Sequence, residues 1–74
     1  MNKAAKIKDF FFKDGDTQVI KCKPSEYKTL TAKAVRIANR LKDECEENIM
    51  IQESETQVRI INFDTGKMIA ICLY

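Results

Sequence analysis

The side chains that carry most enzymatic and metal chemistry are scarce in this chain and poorly spaced for it. Histidine is absent, which removes the commonest general base and metal ligand near neutral pH. Serine occurs only at Ser25 and Ser54; neither lies in a nucleophile motif, and they read as a helix cap and a turn residue. Cys22, Cys45 and Cys72 form no C-x-x-C pair and cannot all pair with one another in one chain, so they read as small apolar residues of a reducing compartment. Gly15 and Gly66 are the only glycines, too few for a phosphate-cradling loop. Glu44 and Glu47 on one helix side make the single carboxylate pair of interest, and a solvated helix end explains them. The expectation is a protein without catalysis, cofactor or metal.

Cations offer a second kind of chemistry. Lys21, Lys23, Lys28, Lys33, Arg36 and Arg40, with Tyr27 to stack, could contact nucleic-acid phosphates. Against this stand a pI near 8.5 and the absence of the aromatic-rich motifs of an RNA-binding sheet. Charge is unevenly distributed: residues 1–42 hold eleven of the thirteen Lys/Arg and four of the eleven Asp/Glu, net +7, which leaves residues 43–74 at −5. Such polarity can steer an encounter or favour head-to-tail contact.

The element that must organise these residues is a helix over Ser25–Glu47. Leu30, Ala34, Ile37, Ala38, Leu41 and Cys45 recur at the spacing of one helical side, and Leu30, Ile37 and Leu41 are expected in the core. Pro24 closes the preceding segment, Ser25 caps the helix and Glu26 suits its positive end. Lys33, Arg36 and Arg40 follow i, i+3, i+7 spacing as a basic stripe, and Asp43, Glu44, Glu46 and Glu47 crowd the final turns against the macrodipole.

The remaining chain reads as short strands. Lys6–Phe12 and Thr17–Cys22 flank Asp14-Gly15, a tight-turn pair, and form a hairpin; the alternative is a short helix from Asn2 with Ala4, Ile7 and Phe11 on one side. Ile49–Gln52 follows the helix, and Thr56–Phe63 and Met68–Tyr74 form a second hairpin around Asp64–Lys67. The predicted fold is therefore a single α+β domain over residues 1–74, with one helix on one face of a five-stranded antiparallel sheet in the order β-β-α-β-β-β.

The second hairpin is apolar on both sides. With Thr65 and Gly66 central, Val58 and Ile60 share a face with Ile69, Ile71 and Leu73, and the other face carries Ile61, Phe63, Met68, Ala70, Cys72 and Tyr74. A bulge at Gly66 would exchange the partners and leave both faces apolar. One helix covers one face. The residues from Ile61 to Tyr74 just named are thus the candidate protein interface, with the last strand a candidate sheet edge.

A 74-residue chain also buries only about 60% of its unfolded surface, and chains of this size commonly lean on a partner. The sequence points to a small protein-binding module, with a homodimer as the simplest arrangement and a heterologous target equally compatible. On size and composition alone it compares with phage-encoded inhibitors that occlude a host protein's surface. Nucleic-acid binding or transcriptional regulation through the basic residues is the alternative. No apolar run approaches the ~18 residues of a membrane span, and no signal-peptide pattern opens the chain; a cytoplasmic protein is expected.

Overall fold

A computed structural model describes residues 3–12 and 17–74. The elements run α1 (Lys3–Phe12), β1 (Gln18–Cys22), α2 (Pro24–Glu44), β2 (Ile49–Glu53), β3 (Gln57–Asn62) and β4 (Lys67–Leu73). The class is α+β, as expected, but the first element is a helix rather than a strand. The helix accommodates the three consecutive phenylalanines better than a strand would. In a strand Phe10, Phe11 and Phe12 would alternate between faces, whereas the helix buries Ile7 and Phe10, half-buries Phe11 and leaves only Phe12 largely exposed. The turn anticipated at Asp14-Gly15 lies outside the described residues.

The sheet has four strands in the order β1-β4-β3-β2. It is mixed: β1 runs parallel to β4, and the other two pairings are antiparallel. The path of α2 accounts for this. α2 leads the chain from β1 at one edge to β2 at the other, and packs against β2, β3 and β4 on the way. The two following hairpins then step back across the sheet until β4 fills the place beside β1. The last strand is therefore central, not an edge.

Strand alternation and the helices together define one core. Ile20, Cys22, Ile49, Val58, Ile60, Ile69 and Ile71 from the sheet enclose Ile7 and Phe10 of α1 and Leu30, Ala34 and Ala38 of α2. The two alanines let α2 lie close to the sheet, so the larger Ile37 and Leu41, expected in the centre, sit half-buried at the rim beside α1.

The helix ends also differ from expectation. Lys23, not Ser25, is the N-cap, with Pro24 in the first helical turn. The Lys23 backbone N–H donates to the Glu26 carboxylate at 3.4 Å, and the Lys23 carbonyl accepts from the N–H groups of Glu26 and Tyr27. At the other end α2 stops at Glu44. Cys45 and Glu47 N–H both donate to the Leu41 carbonyl, and this closure holds Glu46 at φ 55°, a left-handed position that favours glycine or asparagine.

Candidate protein-interaction face

Both helices lie on the same side of the sheet, because Ile7, Phe10 and the buried residues of α2 belong to one cluster with the inward strand residues. The other side has no covering element among the described residues. It is built in rows by the pairing. Met68, Ile61 and Met50 form one row; Val19, Ala70, Arg59 and Gln52 form the next; Lys21, Cys72 and Gln57 form the third.

The row of Met68, Ile61 and Met50 is wholly apolar, and Phe63, half exposed at 51%, follows Ile61 at the alternate position just past the end of β3. Val19 is 60% exposed and Met50 41% exposed. Ala70 is only 5% exposed although it points outward, since the larger Val19 and Arg59 stand on either side of it. Lys21 and Arg59 are the only charged residues at the outward strand positions, and no carboxylate accompanies them.

Of the six sequence-predicted interface residues, Ile61, Met68, Ala70 and Cys72 thus lie side by side, and Phe63 borders them. Tyr74 does not join the group. It follows β4, its N–H donates to the Cys22 carbonyl, and its ring stands 6.0 Å from the Lys3 ammonium of α1 at the end of the sheet. Val19, Met50 and Arg59 were not anticipated on this face. Their alternation with Ile20, Ile49 and Ile60 was visible in the sequence, but their place beside β4 and β3 depends on topology.

The hairpin register differs by two residues from the tight-turn expectation. Asn62 pairs with Lys67, and Phe63 to Gly66 form a four-residue connection. The Asn62 side chain accepts from the N–H groups of Asp64 and Thr65, its carbonyl accepts from Gly66 N–H, and Gly66 takes φ 75°. A shift of two preserves which side chains share a face. The division into two apolar sides therefore holds.

The six cations proposed for nucleic acid do not form one patch. Lys21 is on the open sheet face, Lys23 is the cap of α2, and Lys28 is turned roughly 120–140° around the helix from Lys33 and Arg40 at 3.6 residues per turn, nearer to Arg36 alone. Tyr27 is half-buried against the core, with its hydroxyl enclosed and its phenol pushed up by burial, so it offers no stacking platform.

The chemically reactive side chains stand apart. Burial pushes the Cys22 thiol up, and Cys22 and Cys72 point to opposite sides of the sheet. Cys45 is exposed at the end of α2. Glu47 accepts a bond from Asn62 Nδ2 at 3.3 Å, away from the exposed Glu44. Ser54 Oγ donates to the Gln57 carbonyl in the β2–β3 turn. Among the described residues, no group of three or more potential ligands could hold a metal ion, and no helix is long and apolar enough to cross a membrane. The chain matches no protein-family model, and no curated protein or solved structure matches it.

Proposed function

We propose that this chain is a non-enzymatic protein-binding module that acts through the open face of its sheet, occluding a partner's surface as small inhibitors do. The observation that carries the reading is the uncovered row of Met68, Ile61 and Met50 beside Phe63 and Val19. An antiparallel or mixed sheet that faces water normally presents polar residues there. Lys21 and Arg59, unaccompanied by carboxylates, give the face a charge that suits a partner carrying acidic groups.

The size of the face adds a constraint. Four strands about 4.8 Å apart and five to seven residues long project roughly 300–450 Å², below the ~800 Å² that each partner contributes to a standard interface. A stable complex must extend past the sheet. Phe63 and the β3–β4 turn are the nearest apolar extension, on the side of the Met68 row.

The test is a comparison of Ile61→Glu and Phe63→Lys with the wild-type chain in quantitative affinity capture from the source cells. A partner recovered by wild type should be lost with both variants while far-UV circular dichroism shows that each remains folded. Retention of the same partner by a folded Ile61→Glu chain would overturn the assignment. Binding of a labelled single strand or duplex with steep salt dependence would point instead to nucleic acid.

A further inference from the structure

A groove of about 200 Å³ runs between the C-terminal end of α1 and the flank of α2, lined by Phe12, Lys33, Arg36, Ile37, Arg40 and Leu41. It is separate from the open sheet face. Its floor is apolar, its rim holds three cations, and Phe12 stands 65% exposed at its edge. Among the described residues, none of Lys33, Arg36 and Arg40 forms an ion pair. The stripe changes sign within the same helix: Asp43 and Glu44, both exposed, follow Arg40. At 3.6 residues per turn Lys33, Arg40 and Glu44 fall within about 40° of one another around the helix, and Arg36 and Asp43 lie along the outer border of that strip.

We infer that this groove receives the last turns of α2 from a second copy of the chain, forming an antiparallel, two-fold helix dimer. Spacing is the argument. Arg36 and Asp43 are about 10 Å apart along the axis and Lys33 and Glu44 about 16 Å, yet both pairs are centred within one residue of Asn39. A two-fold axis at the level of Asn39 therefore sets Arg36 against Asp43 of the second copy and Lys33 against its Glu44, twice each by symmetry. Ile37, Leu41 and Phe12 supply the apolar contact between the charged ends. The arrangement also gives a role to acidic residues that otherwise oppose the dipole at the end of α2. Arg40 lies nearest the axis and faces its own symmetry mate, the one like-charge contact in the pairing.

A foreign acidic segment or a nucleic acid fits less well. A phosphate backbone that follows the cations past Arg40 runs into Asp43 and Glu44. The complement that matches both the sign and the spacing of the stripe is the stripe itself, reversed.

Sedimentation velocity over micromolar to millimolar concentrations tests this with three proteins: wild type, Lys33→Glu/Arg36→Glu, and Asp43→Lys/Glu44→Lys. Circular dichroism establishes that each is folded. Wild type should dimerise, and more weakly in 0.5 M than in 0.05 M salt, as charge pairing requires. Each double variant alone should associate about tenfold or more weakly, because four cross-pairs become like-charge contacts. An equimolar mixture of the two variants should recover a dimer, and Arg40→Ala should tighten the wild-type association. A wild type that stays monomeric at millimolar concentration overturns the proposal. So does a mixture that fails to associate, or a monomer that binds a labelled single strand through Lys33 and Arg36. None of these substitutions touches the open sheet face, so loss of the dimer with the captured partner retained separates this proposal from the proposed function.

Discussion

Neighbouring isoleucines on β3 should respond very unequally to the same truncation. Ile60 is fully enclosed and sits between Ile51 of β2 and Ile69 of β4 on the helix-covered side. Ile60→Ala deletes three buried carbons, about 2.4 kcal/mol at ~0.8 kcal/mol each, and the cavity left behind raises the cost into the ~2–5 kcal/mol range. A chain of this length has only about 4–11 kcal/mol of stability in total. The substitution thus removes a large share of it. Ile61, one residue on, points to the open side between Met50 and Met68 and is only partly buried, so Ile61→Ala leaves a dent open to solvent rather than an enclosed cavity and should cost less than ~1.5 kcal/mol. Urea denaturation followed by far-UV circular dichroism at low protein concentration measures both. Equal losses for the two variants would show that the second face is enclosed within the monomer, and the reading of an open face would fail.

Two further outcomes follow from the helix ends. Glu46→Gly should raise stability by about 0.5–1 kcal/mol in the same assay, since glycine relieves a left-handed backbone and removes a negative charge from the end of α2. The Lys3 ammonium, 3.1 Å from the Glu26 carboxylate, and the Lys23 N–H hold that carboxyl below the usual glutamate range. A depressed folded-state value means the contribution is fully present above about pH 4.3 and is lost as pH falls through the folded value. An NMR titration should therefore show α1 loosening from α2 at acid pH in wild type and no such acid step in Lys3→Ala.

Much of this architecture was legible in the sequence. The spacing of Leu30, Ala34, Ala38 and Leu41 identified α2, and the alternation in β3 and β4 separated the two sheet faces even though the register moved by two. The first element was harder, because ten residues with Ala4, Ile7, Phe10 and Phe11 satisfy helical spacing while the phenylalanine run also fits a strand. The parallel pairing of β1 with β4 joins residues about fifty positions apart and is set by the passage of α2 across the sheet, which no local pattern encodes. For the same reason Val19 and Met50 escaped notice as members of the open face, and the groove beside Phe12 depends on α1 being a helix.

The claim on which the functional reading rests is that one side of this sheet meets water in the isolated chain. Methyl relaxation enhancement by a neutral paramagnetic cosolute measures it directly in dilute solution. Strong enhancement at Val19, Met50, Ile61 and Met68, with Ile60, Ile69 and Ile71 shielded, is the expected pattern. Equal shielding of Ile60 and Ile61 in a monomer would contradict it.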